Sequence, residues 1–147
     1  MAMTNRLYVL VLFTVFAAGV NVGRVLPNSS IAHAQSQSRV FEIRTYTATD
    51  GNLDALHARF RDHTMRLFEK HGMTNIGYWT PQDAPLSNNT LIYIIAHQSR
   101  DAARENWKQF QADPEWQKVR DASEAKGKIV SKVESVFVAP TDYSPVK

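Results

Sequence analysis

Five polar or titratable side chains in this chain have types and spacings that could do chemistry. Arg44 and Tyr46 lie two apart in the run Val40-Phe-Glu-Ile-Arg-Thr-Tyr46, and His63, His71 and His97 follow. A cation and a phenol on one strand face can orient an acidic or carbonyl group of a ligand. The same pair can equally close a salt bridge to Glu42 or Glu134 around a buried phenol. His63 and His71 are the candidate proton-transfer groups. His63 falls on the apolar stripe of a helical pattern, where a hydrogen-bonded core histidine is the plainer reading. His71 precedes Gly72, so it can simply interact with a helix C-terminus. His97 ends a strongly apolar strand pattern, TLIYIIAH, and with Tyr93 and Trp79 completes the candidate ligand-binding set. Trp107 and Trp116 read as helix-to-sheet core or as dimer contacts.

The elements that position these groups follow from periodicity. Arg39 to Thr47 alternates and is rich in β-formers, so it reads as a strand. Alternation places Phe41, Ile43 and Thr45 on one face and Val40, Glu42, Arg44 and Tyr46 on the other. A turn at Ala48–Gly51 leads to a long amphipathic helix. Leu53, Leu56, Phe60, Leu67 and Phe68 form its stripe, with His63 or Thr64 filling the gap and Arg59 among the polar residues. Gly72 ends it as a C-cap. Strands follow at 74–80 and 90–97, separated by a loop with two prolines. Ser99 caps a helix from Arg100, and Asp113-Pro114 restarts it as N-cap and first helical residue. The last strand spans 129–138.

The order strand, helix, strand, strand, helix, strand is the ferredoxin-like split pattern of an α+β fold. It predicts a four-stranded antiparallel sheet with both helices on one face. The other face then needs a partner sheet, and two sheets face to face make a dimeric α/β barrel. Glu42, Arg44, Tyr46, Tyr93, His97, Lys132 and Glu134 are expected to line that barrel, with Ile92 and Ile94 toward the helices.

Composition bounds the partners. The chain has 147 residues and no cysteine, which excludes disulfides, thiolate nucleophiles and thiolate metal sites. No Asp or Glu precedes Glu42. Arg6, the apolar run Leu7–Val20 and Ala32-His-Ala34 match a secretory signal peptide over residues 1–34, or an N-terminal anchor if it stays uncleaved. Export follows in either case, to the periplasm or the extracellular space. Residues 35–38 form a Ser/Gln linker, residues 39–143 the domain and residues 144–147 a tail. Of the seventeen Lys and Arg, only Arg6 and Arg24 lie in the leader; the remaining fifteen stand against fourteen acidic residues. A domain near +1 has no basic stripe for nucleic acid, although the whole-chain pI is 9.3. No metal constellation, Gly-rich phosphate loop or Gly-x-Ser-x-Gly elbow is present, so nucleotide binding and serine-hydrolase chemistry are not expected; no cofactor is assigned, with haem binding as a third, weaker reading.

The strand Val40–Tyr46, the helix end Glu69-Lys-His-Gly-Met73, Gly77-Tyr-Trp79 and Asp113-Pro-Glu-Trp116 together resemble the NIPSNAP family of the dimeric α/β-barrel superfamily. That resemblance covers about Arg39 to Tyr143. It implies a homodimer with a pocket per subunit between sheet and helices. Wider kin include cofactor-independent monooxygenases, haem-using enzymes and isomerases, a kinship of fold that carries no mechanism by itself. Two functional classes therefore stand: a homodimer binding a small, partly apolar molecule, with oxygenase or isomerase chemistry as its possible reaction, and a non-enzymatic dimeric interaction module.

Overall fold

A computed structural model describes residues 39–147 of the chain. The expected signal or anchor segment and its linker lie outside the described residues. The elements run β1 Val40–Ala48, α1 Leu53–Arg59, a π-helical turn Phe60–Thr64, α2 Met65–Lys70, β2 Thr74–Trp79, β3 Thr90–His97, α3 Arg100–Ala112, α4 Pro114–Ser123 and β4 Val130–Val138. The four strands form one antiparallel sheet in the order β2-β3-β1-β4. That is the ferredoxin-like arrangement, with helices packed on β2 and β3 and no comparable cover over β4.

Local chemistry explains most boundaries. Ser99 Oγ accepts from the Ala102 amide at 3.0 Å and starts α3. Asp113 Oδ1 accepts from the Glu115 amide at 2.8 Å, and Pro114 sits where a missing N–H costs nothing. Gly72 has φ +74 and lets the Met73 amide return to the Phe68 carbonyl at 2.9 Å, closing the helix end. Asn52 occupies the N-cap position of α1, but its side chain makes no capping bond there.

The helix after β1 is not uniform. Its π-helical turn adds a residue to one turn, and Thr64 Oγ1 donates to the Arg59 carbonyl inside it at 3.1 Å. The apolar stripe continues through Thr64, which is buried, while His63 is exposed. The core lies between sheet and helices. Leu56, Phe60, Leu67 and Phe68 meet Leu91, Tyr93 and Ile95 of β3, and Phe110 closes it from α3. Phe60, Phe68, Tyr46 and Tyr78 all pack within about 6 Å of the Tyr93 ring.

The strand faces are opposite to expectation. Leu91, Tyr93, Ile95 and His97 point to the helices, and Ile92 and Ile94 do not. Antiparallel register sets Arg44 opposite Tyr93 and Ser135, so Glu42, Arg44 and Tyr46 share the helix side. The open face carries Ile43, Thr45, Ile92, Ile94 and Val136. Lys132 and Glu134 pair with Thr47 and Thr45 in register and do lie on that open face. The buried Glu42 carboxylate is energetically acceptable because both its oxygens are partnered, whereas a face of isoleucines has no such internal remedy.

Candidate functional site

Glu42 is the centre of the polar residues between sheet and helices. Its Oε1 accepts from Arg44 Nη1 at 2.6 Å and from the Ser135 hydroxyl. Its Oε2 accepts from Trp107 Nε1 at 2.7 Å and lies 3.1 Å from His97 Nε2. Asn106 Nδ2 donates to the Gly72 carbonyl at 3.0 Å and lies 3.4 Å from His97 Nδ1. Asn106 Nδ2 can only donate, so His97 Nδ1 accepts and Nε2–H faces the carboxylate, which partners both ring nitrogens. Burial opposes ionisation of Glu42, but hydrogen bonds from His97, Ser135 and Trp107 and the charge of Arg44 outweigh it. They hold the carboxyl down at about 2.

Arg44 lies over the Trp107 ring at 4.2 Å and the Tyr46 ring at 5.5 Å. Burial works against its charge, and Tyr46, Tyr93 and Glu42 more than restore it. Its Nη2 reaches the Tyr46 hydroxyl at 3.5 Å, the outer limit of a hydrogen bond. Tyr93 is fully buried; burial and the neighbouring Tyr46 push its phenol well up, so it stays protonated. Its hydroxyl and Arg44 Nε are buried with no partner among the described residues. This constellation brings Arg44, Tyr46, Tyr93 and His97 together, as a packed and ion-paired interior.

The other three expected site residues lie elsewhere. His63 is exposed on the outer side of its helix and lines a groove toward α4. His71 Nε2 lies 2.6 Å from Asp113 Oδ2, which also accepts from Lys70 Nζ at 2.7 Å. Hydrogen bonds from Lys70, His71 and the Glu115 amide hold Asp113 well below the usual carboxylate range. His71 thus ties the end of α2 to the start of α4. No contact joins either histidine to Arg44. Trp79 is 50% exposed on the open face of the edge strand β2. Gly77 makes room for it: a Cβ at Gly77 would stand 2.5 Å from the indole.

Among the described residues, two grooves are of ligand size. One, of about 560 Å³, lies on the open face between Trp79 and the C-terminal tail, with Phe41, Ile76, Ile94, Val138 and Pro140 as apolar walls. Thr141 and Ser144 supply hydroxyls, and none of its lining residues titrates. The other, of about 570 Å³, separates the first helix from α4. Sequence reasoning missed Trp107 and Ser135 as partners of Glu42, and placed Arg59 on the solvent side although it is only 6% exposed. Glu42 itself was the available signal: a carboxylate inside a β-rich run needs partners if it turns inward. Among the described residues no group of three or more metal-ligating side chains gathers.

The sequence model of the NIPSNAP family matches residues 41–145. No curated protein matches. Among solved structures, the chain resembles a NIPSNAP family protein with unknown function from Agrobacterium tumefaciens, at 23% identity and a TM-score of 0.65, over 76% of this chain and 96% of that one. It also resembles an uncharacterized NIPSNAP-like domain protein from Burkholderia xenovorans, at 16% identity and a TM-score of 0.64, over 74% and 90%. At these identities the likeness is one of fold.

Proposed function

Because this chain belongs to the NIPSNAP family, we propose that it works as a homodimer closed through the open sheet face, each subunit binding a small, partly apolar molecule beside Trp79. The observation that carries the dimer is the open face itself. Ile43, Ile92 and Ile94 are only half-buried there, and Val136 is 59% exposed. A contiguous apolar face of this kind marks an interaction surface. Four strands about 4.8 Å apart and eight residues of about 3.4 Å project roughly 500 Å². With side-chain relief and the tail, that approaches the roughly 800 Å² per partner of a stable interface. Lys132 and Glu134, paired at 2.9 Å on the same face, offer complementary charges to a second copy about a two-fold axis.

The ligand reading rests on the groove at Trp79. Its size and apolar lining with two hydroxyls suit a small molecule that is mostly apolar. With no titratable group in its wall, binding is the activity it supports; His63 and His71 are not placed there to move a proton. The oxygenase or isomerase alternative would need a substrate that reacts without an acid or base from this groove. The interlocked Glu42 cluster favours a structural role for Arg44, Tyr46, Tyr93 and His97, and so keeps the non-enzymatic module as the rival reading. Native mass spectrometry of protein from its own source separates them. A dimer mass with a retained small molecule supports the binder, a dimer alone the module, and a monomer overturns both.

The same proposal includes export, on the reading of residues 1–34 as a signal or anchor. Cell fractionation with intact-mass measurement checks it: cytosolic protein of full length would remove it.

A further inference from the structure

The groove between the first helix and α4 holds a feature that neither a dimer face nor the Trp79 groove uses. Its floor is apolar and small, from Ala55 and Ala58 on one helix and Val119 and Ala122 on the other. Arg59 forms part of its wall and is almost wholly buried. The Arg59 Nη1 donates to Ser123 Oγ at 3.2 Å and to Glu124 Oε1 at 3.0 Å, and the guanidinium lies 5.4 Å from the Trp116 ring centre. Its Nε is buried without a partner among the described residues. A guanidinium has two edges that fit a carboxylate, one across its two terminal nitrogens and one along Nε. Protein groups here occupy Nη1, which leaves the Nε edge. A buried donor without an acceptor costs free energy that an incoming acceptor would recover.

The π-helical turn begins at the next residue. Thr64 fixes the Arg59 carbonyl from inside that turn, and His63 is set at the groove's rim. Such insertions recur at functional sites because they re-aim side chains at some cost to the helix. The rim charges are mixed. Lys118 stands against Asp62 and Glu115, and Glu115 is already engaged by Arg66. Asp62, Glu115 and the Glu124 already paired with Arg59 disfavour a dianion such as a phosphate monoester, so Lys118 and the unused donors of Arg59 suit at most a single negative charge.

We propose that this groove is a separate ligand site for a monocarboxylate on a short apolar chain or ring. The carboxylate takes the Nε edge of Arg59, which is buried until the side chain shifts toward the groove, and the apolar body lies along Ala55, Ala58, Val119 and Ala122.

Titration calorimetry on the full chain, with octanoate and octanol as probes, tests it. Octanoate should bind saturably, and octanol at least about tenfold more weakly, since it lacks the charge-assisted pair. Ala122→Trp fills the groove from a solvent-exposed position; it should lower octanoate affinity at least about tenfold while the unfolding midpoint stays put. Arg59→Lys keeps the charge, loses the planar fork and should weaken octanoate similarly; if it fails to fold, Ala122→Trp alone decides. Trp79→Ala should leave octanoate binding unchanged. No octanoate binding at millimolar concentration, equal binding of octanol, indifference to Ala122→Trp, or loss on Trp79→Ala would each overturn the assignment. The last result would move the ligand to the Trp79 groove and leave the reading of that groove intact.

Discussion

The indole Nε1 of Trp107 donates to Oε2 of Glu42 at 2.7 Å, so α3 and the first strand share one buried carboxylate across sixty-five residues of chain. That bond ties the inner side of β1 to α3. It also makes Glu42, rather than Arg44, the residue on which the other polar groups converge.

Arg44→Ala should destabilise the fold strongly. Removing one partner of a buried ion pair leaves the other charge uncompensated, a loss of about 3–5 kcal/mol. A urea titration followed by tryptophan emission reads this as a fall in midpoint. A change under about 1 kcal/mol would free Arg44 for a ligand role.

Stability should fall in acid through a defined window. Glu42 drops from 4.5 to about 2 on folding. A depressed folded pKa contributes stability that is fully present above pH 4.5 and is lost as pH falls toward 2. Urea midpoints measured across that window should decline, and Glu42→Gln should flatten part of the slope. The slope left in that variant belongs to Asp113 and Glu115, whose carboxyls are lowered in the same direction by Lys70 and His71 and by Arg66 respectively. An unchanged slope in Glu42→Gln would remove Glu42 as a source of acid sensitivity.

Val136→Lys should dissociate the proposed dimer without unfolding the subunit. The side chain is 59% exposed on the open face, so a lone subunit tolerates the charge. In a two-fold interface the substitution brings two like charges to one surface, weakening association by at least about tenfold. Sedimentation velocity checks it, and an unaltered dimer would place the interface elsewhere.

Gly77→Ala should move Trp79 at little cost to the fold. The new Cβ meets the far end of the indole, which is half exposed and can swing away. Stability should change by less than about 1 kcal/mol. The indole N–H resonance of Trp79 in a two-dimensional NMR spectrum should shift, with those of Trp107 and Trp116 unmoved. An unchanged spectrum would show that the indole does not lie over Gly77.

Much of the scaffold is legible in the chain because its signals are local. Ser99, Asp113-Pro114 and Gly72 each act within four residues, so their roles as caps and stop are read without tertiary knowledge. The element order follows from periodicity, and the ferredoxin-like topology follows from the order. The choice between His63 and Thr64 stays open in that reading because a helical wheel assumes 3.6 residues per turn. One π-helical turn shifts the register, buries Thr64 and leaves His63 outside.

The sequence alone determined that Glu42, Arg44 and Tyr46 share one face, and that Phe41, Ile43 and Thr45 share the other. A period of two defines faces without saying which one the helices cover. Hydrophobicity favoured the wrong choice, because burying isoleucines toward the helices looked cheaper than burying charges. Tertiary structure reversed it. Trp107 on α3, His97 at the end of β3 and Ser135 on β4 arrive from three separate segments to satisfy one carboxylate. Only with all of them in place does the charged face become the inner one, leaving the isoleucine face open to a second sheet.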